Sequence, residues 1–432
     1  MQNKIGVNSP DSAKLSYVRT LATGIAGNLM EWYDFAIYGY MLPVIGALFF
    51  PSEDPVATII ATFSAFAAGY FARPVGGVIF GHIGDRYGRK TVLVWSVSLM
   101  GLSTFAIGLL PTYAQLGAGA AALLVMLRIL QGISVGGEYT GSITFVLEHT
   151  KPNHRGLATS WIGVGASLGF LIGSGVGTLM TVFFSPDDLT GWAWRLPFLS
   201  GILIAIVSYF VRRNAPEPPR PADMPMEKSP VIKAVRDHWR PMLQLMGLAL
   251  AVNAGFYMMF VYANSYLTQH MHFSTAAAME INTVNLFLLT AMIPLAGWLA
   301  DRVGRKPILV SGMLAMIFLS WPLFWMMHQA TDEMVFIGQL GFALIIAWIF
   351  GANPAAQSEI LPQNVRVTGF SISYSVCLAL FGGTTPLVAA YLLRRTAEDF
   401  APVWYLIGLS VVSLIAVLSI PETRPQLVPV KE

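Results

Sequence analysis

The sequence predicts an all-α membrane protein of twelve transmembrane helices arranged as two six-helix bundles, and three observations predict it. Hydrophobic residues make up 55% of the 432 residues and charged ones only 11%, against about 25% charged in an ordinary soluble chain. That is too little charge to cover a water-facing surface. Apolar runs of the length that crosses a bilayer, about 20 residues, recur between short charged clusters, and the mean hydropathy is +0.61. A ten-residue pattern at 81–90 also returns at 297–306, 216 residues later.

Taken in order, the apolar runs place spans near Thr20–Leu42, Ala57–Phe80, Thr91–Pro111, Leu116–Tyr139, Gly156–Phe184 and Ala193–Arg213. After a polar stretch they continue near Leu243–Gln269, Ala276–Ala300, Pro307–His328, Met334–Ala355, Thr368–Leu392 and Pro402–Ile420. The expected division is an N-terminal bundle over 1–213, a linker over 214–240 and a C-terminal bundle over 241–432. The linker holds a dense proline cluster with Lys228, Lys233, Arg236 and Arg240. Proline removes the amide donors that a membrane helix needs, so this segment is expected in water.

Met1–Ser16 is polar and the first apolar run contains Glu31 and Asp34, unlike the uncharged centre of a cleaved signal peptide, so the first span is expected to be retained. Positive loops stay cytoplasmic. With both termini inside, 21 of the 26 basic residues fall in the tails and inner loops, leaving Arg73, Arg128, Arg195, Arg394 and Arg395. The opposite loops are mostly acidic, as at Glu53–Asp54, Asp187–Asp188, Asp332–Glu333 and Glu398–Asp399.

Composition also excludes function classes. The single cysteine, Cys377, sits in an apolar stretch, so neither a disulfide framework nor a thiolate metal cluster is expected. A net charge of +3 gives no argument for nucleic acid. The glycines between Gly163 and Gly177 follow no strand and lie in an apolar run, so they read as close helix packing rather than a nucleotide loop. With no Walker lysine and no nucleophilic triad, neither an ATPase nor a hydrolase is expected, and no cofactor is implied.

The repeat reads Gly-His-Ile-Gly-Asp-Arg-Tyr-Gly-Arg-Lys at 81–90 and Gly-Trp-Leu-Ala-Asp-Arg-Val-Gly-Arg-Lys at 297–306. A second match supports it: Glu148 precedes Arg155 by seven residues, as Glu359 precedes Arg366. Two parallel halves place a substrate site near the midplane between them. The repeated loop resembles the signature of the major facilitator superfamily, and the topology match covers the full chain. Gly27–Phe35, Arg73–Gly77, Gln131–Tyr139 and Trp194–Phe198 resemble the metabolite:proton symporter family, which includes carriers of proline and glycine betaine, α-ketoglutarate, shikimate, and citrate or tricarballylate.

The resemblance implies a monomeric multi-pass protein of the cell inner membrane, whose partners are a small-molecule substrate, protons and the lipid bilayer. It implies gating roles for Asp85, Arg86 and Arg89 and for Asp301, Arg302 and Arg305, with a carboxylate latching the inner side through an arginine or a helix N-terminus. The same holds for Glu148 with Arg155 and Glu359 with Arg366. The alternative reading is topological, with these cations simply marking inner loops.

Ionisable groups inside a span are costly unless paired or wet. Glu31 and Asp34 lie midway along the first span, with Asn28 and Tyr38 extending a polar stripe expected to face the cavity. A carboxylate that alternates between water and low-dielectric surroundings can load and release a proton. Asp34, Glu31 and, next, Glu138 are therefore the proton-coupling candidates, Asp34 first because Tyr38 is one turn on. The alternative is a permanent ion pair with Arg73 or Arg128.

Arg128 with Gln131 gives one helix face suited to gripping a carboxylate through two parallel bonds; a structural pair with Glu31, Asp34 or Glu138 is the rival reading. Arg73 either reaches substrate or snorkels to the interface. Tyr257, Asn353 and Tyr374 are the candidates in the second half, the alternative being interhelical hydrogen bonds worth about 1 kcal/mol.

These residues point to a proton-coupled symporter importing a small carboxylate-bearing metabolite by alternating access. A di- or tricarboxylate is favoured because Arg128 matches the arginine of organic-acid carriers and Phe370–Pro386 resembles the citrate carrier. A proline or glycine betaine symporter is the alternative, because Gly136–Gly141 matches that carrier. An efflux antiporter would want a greasier cavity with fewer buried charges, and a receptor or membrane enzyme on the same scaffold is the non-transport rival.

Overall fold

The structure, a computed structural model, describes residues 10–87, 89–213, 230–363 and 365–424. Twelve helical stretches cross in succession: α1 (Pro10–Tyr40), α2 (Pro55–Tyr87), α3 (Arg89–Gly108), α4 (Ala118–Glu148), α5 (Arg155–Phe183), α6 (Arg195–Arg213), α7 (Trp239–His270), α8 (Thr275–Val303), α9 (Arg305–His328), α10 (Asp332–Ile360), α11 (Arg366–Thr396) and α12 (Ala401–Ser419). Among the described residues nine of these are long and apolar enough to span on hydropathy alone. The other three have local reasons. α1 carries Glu31 and Asp34 in its middle, the apolar part of α3 is short (Val94–Leu109), and α6 meets the preceding Pro186–Ala193 at a 52° bend.

Helices overrun the apolar runs. α1 starts at Pro10 rather than Thr20, α4 continues to Glu148 past Tyr139, and α10 continues to Ile360 past Ala355. Hydropathy marks only the lipid-facing length, whereas backbone hydrogen bonding carries the helix on into the interface. Of the expected linker, residues 214–229 lie outside the described residues. Pro230–Asp237 is a short helix whose fully buried Ala234 packs beside Gly369 of α11, and α7 already begins at Trp239.

The two bundles repeat one packing scheme. In the first, α1 packs on α5, α2 on α4 and α3 on α6; in the second, α7 packs on α11, α8 on α10 and α9 on α12. The halves meet along α5 with α8 and along α2 with α11, contacts related by the same repeat. Missing side chains set the closest approaches. A Cβ on Gly132 of α4 would stand 1.8 Å from the Gly69 carbonyl oxygen of α2, and one on Gly76 would stand 2.0 Å from that of Ile133. Between the halves, a Cβ on Gly383 would stand 2.1 Å from the Tyr70 ring.

Helix α7 is the enclosed element: 94% of its apolar window is buried, against 39–56% for the other eight passing spans. Its regular hydrogen bonding widens to i+5 turns over Met258–Tyr262 and Tyr266–His270, and that of α11 does so over Leu378–Gly382. Such wide turns gather at functional sites. Outward-facing Trp95, Leu203, Phe210, Phe318 and Ile415 are more than half exposed and form the apolar belt that lipid covers.

Candidate substrate cavity and its buried ion pairs

The close crossing of α2 and α4 fixes two arginines, Arg73 and Arg128, in the interior of the first half, each 1% exposed or less. Buried guanidinium groups require partners, and α1 supplies them. Arg73 donates from Nη2 to Glu31 Oε1 at 2.5 Å. Arg128 Nη1 lies 3.7 Å from Asp34 Oδ2 and donates to Gln131 Oε1 at 2.8 Å. Gln131 Nε2 donates in turn to Asp34 Oδ1 at 2.7 Å, and the Thr104 hydroxyl donates to the same oxygen. Arg128, Asp34, Gln131 and Thr104 are all fully buried, and Arg128 Nε and Nη2 and Asp34 Oδ2 are left without a hydrogen-bond partner. The Arg128 guanidinium is packed between Tyr38 and Phe35, 4.5 and 4.8 Å from their ring centroids.

Between the bundles lies a small cavity walled chiefly by aromatic rings: Trp32, Tyr139 and Phe170 from the first half, and Phe256, Tyr257 and Tyr374 from the second. Ser167 and Asn253 are its polar points, and Asn253 Oδ1 accepts from the Tyr374 hydroxyl at 3.4 Å. Trp32 connects this wall to the first ion pair, because the Arg73 guanidinium sits 5.7 Å from its ring centroid. Tyr139 and Tyr374 stack across the halves at 4.8 Å, and the hydroxyls of Tyr70 and Tyr257 meet at 2.6 Å. Thr140 and Ser371 join at 2.6 Å on the side nearer the repeated loops.

Further contacts between the halves close both ends. At the end carrying the repeated loops, Asp301 accepts from the backbone N–H of Gly156 and of Leu157, at 2.8 Å each, and so caps α5 from the other half. Arg305 bridges Asp301 at 3.1 Å and Glu359 at 3.4 Å, and Glu359 reaches Arg155 of the first half at 3.9 Å. Gly304 turns the loop with φ +116°, a conformation glycine alone takes easily. Glu422 then caps the amides of Arg305 and Lys306 at 2.9 and 3.0 Å. At the opposite end Arg394 pairs with Asp54 of the other half at 2.6 Å.

Of the residues singled out from sequence, Tyr257 and Tyr374 line the cavity and Arg73 lies behind its Trp32 wall. Arg128 and Gln131 are buried with Asp34 in one network, off the cavity lining. Tyr38 sends its hydroxyl to the Thr62 carbonyl at 3.3 Å rather than to Asp34, and Asn28 bonds the Gly24 carbonyl of its own helix at 2.8 Å. Asn353 is buried on α10 away from the cavity lining. Glu138 opens the second segment of α4, after the break at 135–137, with Ser142 donating to it at 3.4 Å.

The gating pairs are exchanged between halves: Arg155 meets Glu359 at 3.9 Å, and Arg366, which donates to the Leu361 carbonyl at 3.2 Å, lies within electrostatic reach of the exposed Glu148. Arg302 lies 3.8 Å over the Trp298 ring. The side chains of Asp85, Arg86 and Arg89 lie outside the described residues. Sequence reasoning passed over Trp32, Tyr139, Phe170, Phe256 and Thr104. The signal was there in one place: Trp32 stands between two buried acids.

The comparisons agree with this architecture. The Major Facilitator Superfamily profile matches residues 25–386 and 246–432. The chain is 32% identical over 426 residues to the proline/betaine transporter of Salmonella typhimurium, covering 96% of this chain and 85% of that protein. It is 32% identical over 418 residues to the glycine betaine/proline/ectoine/pipecolic acid transporter OusA of Dickeya dadantii (94% and 83% covered) and 33% over 417 residues to the ectoine/proline transporter ProP of Corynebacterium glutamicum (92% and 83% covered). Among solved structures, the proton:xylose symporter XylE bound to 6-bromo-6-deoxy-D-glucose superposes with a TM-score of 0.76 at 17% identity, covering 95% of this chain and 97% of that one. The partially occluded inward-open XylE from E. coli gives 0.75 at 18%, covering 95% and 99%. Twelve spans in two repeated bundles, an interhalf cavity and a matching profile make one conclusion: this chain is a multi-pass membrane transporter belonging to the Major Facilitator Superfamily.

Proposed function

We propose that the chain is a proton-coupled symporter of the inner membrane, with both termini cytoplasmic, that imports a small zwitterion of the proline or glycine betaine type. The observation that carries this reading is the charge balance of the first half. Its buried ionisable groups are Arg73 and Arg128 against Glu31, Asp34 and Glu138. Each arginine already has an acid beside it. A di- or tricarboxylate, the substrate favoured from sequence, would bring two or three negative charges to a site with no spare positive charge, and burying unpaired charge is prohibitive. A zwitterion adds no net charge.

The cavity wall supports the same choice. An ammonium group, above all a quaternary one, is attracted to the faces of Trp and Tyr by about 0.5–2 kcal/mol per ring, and four such rings, Trp32, Tyr139, Tyr257 and Tyr374, stand around the cavity. Arg73 behind Trp32 is the carboxylate partner. The named activities of the relatives, proline and betaine transport, agree with it. Asp34 carries the proton: its carboxylate is sealed from the cavity, bonded to Gln131 and Thr104, and balanced by Arg128, so its protonation releases Arg128 and loosens α1 from α4. Asp301 and Glu359 form the inner gate.

The test is uptake into proteoliposomes under an imposed inward proton gradient. Labelled proline or glycine betaine accumulates above the external concentration and the accumulation collapses with a protonophore. Accumulation of citrate or α-ketoglutarate with none of proline or betaine would contradict the reading.

A further inference from the structure

We propose that Glu31 is the specificity residue that obliges the substrate to carry a positive charge, so that the carrier takes a betaine and refuses the same carboxylate without its ammonium group. The inference rests on the zwitterion reading above and assigns to Glu31 selection of substrate rather than transfer of the proton.

Arg73 spends Nη2 on Glu31 and keeps Nε and Nη1 buried with no hydrogen-bond partner. Those two donors are the chemistry that an incoming carboxylate satisfies, and an unsatisfied buried donor costs about 1–3 kcal/mol until it is met. Trp32, Phe35 and Tyr70 enclose the guanidinium at 5.7–5.8 Å from their centroids. Arg73 and Glu31 both lie within electrostatic reach of Tyr374, and Glu31 also of Tyr139, so both charges stand against the cavity wall.

The pair is neutral before anything binds. A carboxylate that docks on Arg73 alone brings a second anion beside Glu31 in a site closed to water, and nothing balances it. A molecule bearing both charges sets its carboxylate on the Arg73 donors and its ammonium toward Glu31 and the rings, and the site stays neutral. Specificity of this kind is built by repulsion of the wrong ligand as much as by attraction of the right one. The Asp34 network does not enter: Arg128 also keeps Nε and Nη2 without a hydrogen-bond partner, but its guanidinium packs on Phe35 and Tyr38, neither of which lines the cavity, whereas Arg73 packs on Trp32, which does.

The decisive ligand is 3,3-dimethylbutanoate, which has the shape of glycine betaine with carbon in place of the ammonium nitrogen. Both compounds are titrated as competitors of labelled betaine uptake in proteoliposomes. In the wild type the isostere should compete about 100-fold or more weakly, the size of an uncompensated buried charge. In Glu31→Gln the preference should fall to within about tenfold, the isostere gaining and betaine losing. Glu31→Asp keeps the charge and should keep the preference, which separates selection from folding should the glutamine variant fail to insert.

A wild type that accepts betaine and its isostere alike overturns the inference alone, as does a Glu31→Gln variant with undiminished preference or a Glu31→Asp variant that loses it. A wild type that takes neither proline nor betaine overturns the zwitterion reading and this inference with it.

Discussion

Asp301 of the second half holds the start of α5 in the first, each of its carboxylate oxygens accepting one backbone N–H, from Gly156 and Leu157, at 2.8 Å. A carboxylate at a helix N-terminus is favoured by both hydrogen bonding and the helix dipole. Asp301→Asn keeps one acceptor, turns a donor toward the other N–H, and removes the charge. The latch should weaken by about 1 kcal/mol, roughly a fivefold shift toward the state open at this end. Cysteine-accessibility labelling of the cavity from this end should rise, net uptake should slow, and betaine affinity should change by no more than that population shift.

Gly156→Ala tests the same latch from the other side. A Cβ there would stand 2.6 Å from the Gly297 carbonyl oxygen and 2.8 Å from Asp301 Oδ1. Both are closer than real Cβ contacts allow, so the halves must separate locally. Labelling should move in the same direction as for Asp301→Asn, and the double variant should add little, because the two share one interaction.

Arg128 is sealed between Tyr38 and Phe35 and bonded to Gln131, away from the cavity lining. Removing one member of a buried pair leaves the other charge uncompensated, at about 3–5 kcal/mol, whereas replacing both with apolar groups is often near neutral. Arg128→Met should therefore lower the melting temperature sharply. Asp34→Leu combined with Arg128→Met should recover most of the loss while remaining inactive in uptake. Thermal denaturation of the purified variants checks both.

Trp32 is the ring shared by the cavity and the Arg73 guanidinium. Trp32→Leu keeps an apolar side chain and removes the π face. Loss of one cation–π contact of about 1–2 kcal/mol should raise the KM for betaine roughly five- to thirtyfold. Proline, whose secondary ammonium also hydrogen-bonds, should be affected less. Uptake kinetics with the two substrates on one preparation give the ratio.

Asp34→Asn should lose gradient-driven accumulation yet keep counterflow exchange. The amide mimics the protonated acid, still accepts from Gln131 or Thr104 through its oxygen, and lets the loaded carrier rock back and forth. Paired uptake and counterflow in proteoliposomes distinguish this from a folding defect, which would remove both.

The twelve spans and their duplication were legible because lipid imposes a length and a composition on every crossing, and because the Asp-Arg-x-Gly-Arg-Lys loops repeat in sequence. An arginine or a helix N-terminus is the partner expected of the loop carboxylates, and Asp301 meets one of each, Arg305 one turn on and the start of α5 in the other half; which helix it caps depends on the packing of the halves. The pairing of buried charges was not legible. Glu31 and Asp34 are three residues apart on α1, and which arginine each meets depends on the rotation of α2 and α4 about their glycine contacts, which no local pattern encodes. Arg128 shows why: its residue type suits a carboxylate-bearing substrate, while its place beside Asp34, Gln131, Tyr38 and Phe35 follows only from how the helices pack. Trp32, Tyr139 and Phe256 were passed over because aromatic residues at helical spacing read as core until a second half is brought against them. The wide turns of α7 contain no proline or glycine that marks them, whereas that of α11 ends on Gly382 and Gly383.

The most direct test is whether substrate moves protons. Vesicles reconstituted with the carrier and loaded with a pH-sensitive dye start at equal pH on both sides, with the membrane potential clamped. Adding external glycine betaine or proline should acidify the lumen at a rate that saturates with substrate, and Asp34→Asn should abolish the acidification while labelled substrate still exchanges. Betaine entry with no change in internal pH, or acidification that persists in Asp34→Asn, would contradict proton-coupled zwitterion symport through the Asp34 network.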